Sequence, residues 1–220
     1  MCPKRLYSRF IGSVLLLPVL ATGAELPMAP EAGGPRNFEV AAAAGLNLRQ
    51  RPSTAAPVLT RYPHGALLDN LGCLEAEGRA WCDVQRLGGG PRGYVAAAFL
   101  RPAVAPDGAV AMGPDDSALR AGQRDFDASG TLPCAQYAGQ PTRQCRFEVA
   151  RAGGGYATVV VTHADGRRRA LFFRAGIPIG ADTSEADGYH AFRARKEADL
   201  HFIRVGPERY EVVDAVVSGG

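Results

Sequence analysis

Leu46-Asn47-Leu48-Arg49-Gln50-Arg51-Pro52-Ser53-Thr54 decides how the first half of this chain folds. In an extended backbone successive side chains point to opposite faces, so Leu46 and Leu48 share one face and Asn47 and Arg49 the other. Pro52 lacks a backbone donor and ends the pairing. Outward from this segment the same grain recurs. Residues 58–62 give a second apolar run, Pro63-His64-Gly65 a turn, residues 66–68 a third run, 80–84 a fourth and 93–95 a fifth. Short strands broken by turn residues at such regular intervals describe a small barrel or sandwich.

These residues resemble the bacterial SH3-like family, whose pattern runs from Leu-Asn-Leu-Arg through a Trp-x-x-Val strand to a closing Gly-aromatic-Val followed by Leu. Here the pattern falls on Leu46 to Arg49, Trp81 to Val84, Gly93 to Val95 and Phe99-Leu100. It covers residues 38–102, less than a third of the chain. Each piece is ordinary strand chemistry, and their order and spacing carry the specificity. The departures are Tyr94, where Trp is commoner, and a cysteine pair, Cys73 and Cys82. The resemblance implies an SH3-like barrel that binds rather than catalyses. Recognition in such a groove rests on aromatic faces with a few polar groups. Trp81, Tyr94 and Tyr62 are the available aromatics, with Asn47 and Arg49 as polar candidates. Trp81 reads equally as groove or as core, because tryptophan is rarely buried completely.

The amino terminus sets the expected compartment. Lys4, Arg5 and Arg9 form a positive lead, residues 11–20 an apolar run too short to span a bilayer, and Thr22-Gly23-Ala24 a small-residue cleavage site. The expectation is a secretory signal peptide over residues 1–24, cut near Ala24, and a periplasmic or secreted product without a stable membrane span. Cys2 precedes the apolar run and leaves with the leader. The formal charge of +3 comes entirely from Lys4, Arg5 and Arg9, so the mature chain is neutral by count. A nucleic-acid partner, which needs a clustered positive face, is therefore not implied. Arg167-Arg168-Arg169 is the only tight basic run, and after Asp165-Gly166 it reads as a solvated hairpin.

Four cysteines remain after cleavage, in pairs close in sequence: Cys73 with Cys82, and Cys134 with Cys145. An even count in an exported chain reads as disulfides, which suit small domains with modest cores. Zinc is disfavoured, since Cys-x-x-Cys and a histidine nearby in sequence are both missing. Residues 25–37 and 103–121, rich in Ala, Pro, Gly and acidic residues, read as a flexible tether and a linker. They divide the chain into leader, tether, barrel (38–102), linker and a second domain (122–220).

That second domain is again mostly strand. Residues 156–162 and 169–174 flank Ala164-Asp165-Gly166 as a hairpin with the positive φ of a type I′ turn, and 189–195, 200–205 and 210–213 are further strands. An antiparallel meander is the simplest topology, with either a short helix or only a disulfide loop between Pro133 and Cys145. The block resembles the carboxy-terminal region of uncharacterised secreted proteins of Gram-negative bacteria, on Leu132-Pro133-Cys134-Ala135, the 158–173 hairpin, Ile203-Arg204-Val205-Gly206 and Glu208-Arg209-Tyr210-Glu211. The fold expected is all-β: an SH3-like barrel, then an antiparallel β-rich domain.

Catalytic patterns are sparse. A papain-like site needs a free cysteine with a histidine base. The cysteines are assigned to disulfides, while His64, His163, His190 and His201 sit in turns or strands. Ser184 and Ser218 lack a Gly-x-Ser-x-Gly setting, leaving Asp182, Glu185 and Asp187 as the one acidic loop cluster open to an enzymatic reading. Asp125 to Gly130 copies the first half of a calcium loop, but the twelfth position is Gln136. Gly153-Gly154-Gly155 lacks the lysine of a phosphate loop and reads as a flexible turn. No cofactor and no metal are expected. The reading is a non-catalytic module that binds peptidoglycan peptide or an envelope protein. The alternative is an inhibitor or accessory factor of a wall hydrolase acting through the second domain.

Overall fold

Seven strands form the first sheet of the computed structural model, which describes residues 26–105, 108–183 and 191–219. The leader expected over residues 1–24, the strand start at Tyr189-His190, Ser184, Glu185 and Asp187 lie outside the described residues. The strands are β1 (Asn37–Val40), β2 (Leu46–Arg49), β3 (Val58–Tyr62), β4 (Leu67–Ala76), β5 (Arg79–Arg86), β6 (Arg92–Ala96) and β7 (Leu100–Pro102). They run in the order β3-β2-β6-β5-β4-β1-β7, every pair antiparallel. Leu46 and Leu48 do face inward, joining Phe38, Val40, Leu68, Val84 and Val95 in one core, while Asn47 and Arg49 face out. β1 and β7 pair with each other and extend the sheet beyond the five runs read from sequence.

Gly93 fixes where β6 meets β2. A Cβ there would lie 2.5 Å from the Arg49 carbonyl oxygen and 3.2 Å from Leu48 Cγ. The first is a backbone atom that cannot retreat without breaking the single Arg49–Tyr94 register contact between these strands. Glycine at this place is a packing requirement of the β2–β6 contact.

The second sheet holds β8 (Ala128–Ala135), β9 (Arg143–Gly153), β10 (Tyr156–Thr162), β11 (Arg168–Arg174), β12 (Ile177–Ala181), β13 (Phe192–Glu197), β14 (Leu200–Val205) and β15 (Glu208–Val213). Its order is β12-β11-β10-β9-β8-β15-β14-β13. The topology is therefore two meanders, β8 to β12 and β13 to β15, joined by β8 against β15, with β12 and β13 approaching each other at the ends. One face is the core of Leu132, Val149, Val159, Val161, Leu171, Phe173, Ile203 and Val212. Both helices lie elsewhere than sequence allowed: α1 (Ser117–Gly122) and α2 (Asp214–Ser218), while a turn occupies the segment between Pro133 and Cys145. α1 buries Ala121 against Ala150 and Val160, and Ser117 Oγ meets Thr158 Oγ1 at 3.1 Å. β10 is buried on both faces for this reason.

The described parts of the stretches read as tether and linker from composition, residues 26–37, 103–105 and 108–121, are tied to the two sheets by hydrogen bonds. Asn70 Nδ2 donates to the carbonyls of Met28 and Pro35, each at 2.7 Å, and Arg36 N–H donates to Ala111 O at 2.8 Å. The Arg36 side chain, 7% exposed, donates to Gly113 O (2.7 Å), Pro114 O (2.6 Å) and Ala152 O (3.1 Å), and its guanidinium lies 4.6 Å from the Tyr156 ring centre. Tyr156 in turn donates to Asn37 Oδ1. Low hydrophobicity misled here because these segments are held by polar groups, not by an apolar face.

Two other expectations change. The turn after β10 is a three-residue connection closed by His163 N–H to Arg167 O at 2.8 Å, with only Gly166 at positive φ (87°). That is a type I turn with a bulge rather than type I′. The basic run is also not wholly solvated. Strand alternation sends Arg169 inward, where Nε and Nη2 grip the two oxygens of Glu208 at 2.8 and 3.0 Å. Tyr210 donates to Glu208 Oε2 at 2.8 Å, which commits its hydroxyl proton, so His163 Nε2 is the donor in its 2.8 Å contact with Tyr210. Both cysteine pairs are bonded, Cys73 with Cys82 across β4 and β5 and Cys134 with Cys145 across β8 and β9.

Two outcomes follow from this packing. Gly93→Val should lower stability by roughly 1–3 kcal/mol, the range for overpacking, read as a reduced urea midpoint. His163 is held below its ordinary 6.5 chiefly by burial, against the upward pull of Glu208 and Asp165. Its contribution is complete above 6.5 and is lost as pH falls toward the lower folded value, because the unfolded chain takes up the proton first. Wild type should therefore lose stability between about pH 7 and pH 5.5, while His163→Gln should be flat over that interval.

Candidate functional site

On the outer face of the barrel the alternation of β2 places Asn47 and Arg49 side by side. The antiparallel register sets Arg61 of β3 opposite Asn47. From the other side, β5 contributes Arg79 and Trp81, two residues apart and therefore on one face. A 3-10 turn at Ala97–Phe99 packs on β5 and brings Phe99 over the same spot. These side chains, with Thr54, surround a cavity of about 210 Å³.

Its electrostatics are one-sided. Three arginines line the cavity and no acidic residue does. Arg49 Nη1 donates to Ala56 O at 2.7 Å and Arg61 Nη2 to Ala44 O, neutral acceptors that leave both charges uncompensated. Arg79 is exposed and makes no ion pair among the described residues. Trp81 resolves into neither alternative alone. It is only 2% exposed, yet it stands apart from the inward-facing core, where its neighbours Cys82 and Val84 belong. Its Nε1 proton is buried without an acceptor. Orphaned indole donors are uncommon, because buried tryptophan N–H groups usually find partners.

Of the five residues expected to bind, the structure brings Asn47, Arg49 and Trp81 together. Tyr62 is a core residue, 4% exposed, with its hydroxyl on Pro91 O at 3.2 Å and its strand position opposite Leu46. Tyr94 is half-buried outside the cavity, opposite Asp83, which is itself paired with Arg92 at 2.7 Å. Arg61, Arg79 and Phe99 were missed. Arg79 was legible from its i, i+2 relation to Trp81, Arg61 only from the hairpin register, and Phe99 not at all.

Other candidate chemistry is occupied. Asp125 and Asp127 of the calcium-like stretch both hold Arg120, at 2.7 and 2.8 Å, and Asp127 also accepts the Arg151 N–H. Gly153 to Gly155 form the β9–β10 turn with all three φ positive. His64 is an exposed turn residue. His201 Nε2 meets Asp214 Oδ1 at 2.8 Å, but the ring is 2% exposed, edge-on to Phe173, and Asp214 is shared with Lys196 Nζ at 2.7 Å. The pair ties β14 to α2. A histidine does come near a cysteine pair in space: donor atoms of Cys134, Cys145 and His163 lie within 4.8 Å of one another. Bonded sulfurs offer no thiolate, and His163 Nε2 is engaged by Tyr210. The group is a disulfide packed on an imidazole.

Residues 44–101 match the family model described as Bacterial SH3 domain. No curated protein and no solved structure matches the chain. The matched interval spans β2 to β7 and contains every residue lining the cavity except Ala42. The chain therefore contains a bacterial SH3 domain over residues 44–101, with the cavity at Trp81 on its outer face, and carries a second, antiparallel β-rich sheet beside it.

Proposed function

We propose that this chain is a non-catalytic binding protein of the cell envelope whose SH3 domain takes the carboxylate end of a cell-wall peptide in the Trp81 cavity. One observation carries the reading: three arginines converge on a cavity walled by Trp81 that contains no acid. Guanidinium groups match carboxylates with paired, charge-assisted hydrogen bonds. Asn47 offers a neutral donor and acceptor to a peptide backbone, and Phe99 an apolar wall. A volume of about 210 Å³ suits the end of a peptide rather than a drug-sized ligand. Stem peptides of bacterial cell walls present free carboxylates of this kind. An exported location rests on the leader pattern of residues 1–24 and agrees with two disulfides in a small protein.

The test is cosedimentation of the mature chain with purified peptidoglycan sacculi at low and high salt. Arg79 is exposed and has no ion-pair partner among the described residues, so Arg79→Glu leaves the barrel folded while reversing one charge of the cavity. Wild type should pellet at low salt and less at high salt, and at low salt Arg79→Glu should bind at least about tenfold more weakly, the worth of one charge-assisted contact. Equal retention of both proteins, or retention of neither, contradicts the reading.

A further inference from the structure

The outer face of β13 to β15 carries an arrangement that folding alone does not favour. Arg193 on β13 stands directly opposite Arg204 on β14, and Arg204 directly opposite Arg209 on β15. Neighbouring strands lie about 4.8 Å apart, so three guanidinium groups leave the sheet within a span of about 10 Å. Like charges directly opposite one another destabilise a sheet. A fourth arginine, Arg195, is two residues along β13 on the same face. Its guanidinium lies 4.0 Å from the Phe202 ring centre, and it pairs with Glu197.

These groups line a cavity of about 370 Å³ in which Glu211 is the one acidic side chain. Arg193 and Arg204 are exposed and have no ion-pair partner among the described residues. Arg209 is half-buried, reaching Gln140 O through Nη2 while its Nε is buried without an acceptor. Guanidinium donors are therefore available from Arg193 and Arg204 on two adjacent strands, and Arg209 adds its positive charge from the third.

We propose that this cavity is a binding site for a phosphate-bearing ligand. A phosphate presents more acceptor oxygens than a carboxylate and up to two negative charges, so it can take the forks of Arg193 and Arg204 at once, beside the positive charge of Arg209. Phe202 lies under Arg195 and holds its guanidinium at the edge of the cavity. The site is separate from the Trp81 cavity, lies in the second domain, and is independent of the wall-peptide reading.

Inorganic pyrophosphate is the first probe, titrated by calorimetry into the whole mature chain at low ionic strength. Saturable one-to-one binding is expected, weakened at least about tenfold in Arg204→Gln. Arg204→Lys keeps the charge but loses the fork, and should also bind more weakly than wild type. Arg51→Gln, an exposed arginine on the barrel, should bind as wild type does. A parallel arm sediments the protein with vesicles of phosphatidylglycerol. Arg204-dependent pelleting assigns the phosphate to a lipid headgroup, and pyrophosphate binding without pelleting assigns it to a soluble ligand. Absence of both kinds of binding up to about 10 mM probe overturns the proposal, as does equal weakening by Arg51→Gln and Arg204→Gln.

Discussion

Arg36 is the constraint on which the arrangement of the two sheets depends. Its guanidinium is always charged, nearly all of it is out of water, and it meets carbonyl oxygens at Gly113, Pro114 and Ala152 rather than a carboxylate. A buried charge without such acceptors costs several kcal/mol, so the segment through residues 113 and 114 is held where those carbonyls are needed. The same side chain lies over Tyr156, whose hydroxyl reaches back to Asn37 at the start of β1. One arginine thus joins the segment before the barrel, the segment after it and the first two strands of the second domain's inner hairpin. A barrel cut at residue 102 would leave Arg36 without its acceptors, so binding experiments belong on the intact chain.

Within each sheet, polar side chains do work that a larger protein would leave to its core. In the second domain Arg169, Glu208, Tyr210 and His163 form one buried chain of hydrogen bonds, from β11 through β15 to the β10–β11 turn. Every member has a partner, which is the condition under which a buried network specifies a structure instead of weakening it. The bonded cysteines sit beside this chain in one sheet and at the bulge of β4 in the other. Against that background the unsatisfied buried polar atoms among the described residues stand out, and two of them, Trp81 Nε1 and Arg209 Nε, belong to residues that line the two cationic cavities.

Much of the fold was legible because alternation has a fixed period. Leu46 and Leu48 went inward and Asn47 and Arg49 outward as two-residue periodicity requires. Tyr62 was misplaced because its face depends on the β2–β3 register, including the shift between Leu48 and Arg49. That pairing sets Tyr62 against Leu46 and hence in the core. Arg169 was hidden in a basic run because charge composition carries no strand parity. β1 and β7 were too short to read alone, since β1 is fixed by lying between β4 and β7, and β7 by pairing with β1. The binding cavity was half legible: residues on one strand could be grouped, but contributions from a paired strand or a 3-10 turn are properties of the folded chain.

The most direct measurement is the indole N–H cross-peak of Trp81, the single tryptophan of the chain, followed by NMR as a short wall-type peptide with free carboxylates is added. Binding in the cavity changes the surroundings of the wall that Trp81 forms, so this one resonance should shift and saturate together with the Arg49 side-chain signals. A cross-peak that stays in place while other signals saturate would put the peptide elsewhere and contradict recognition at Trp81.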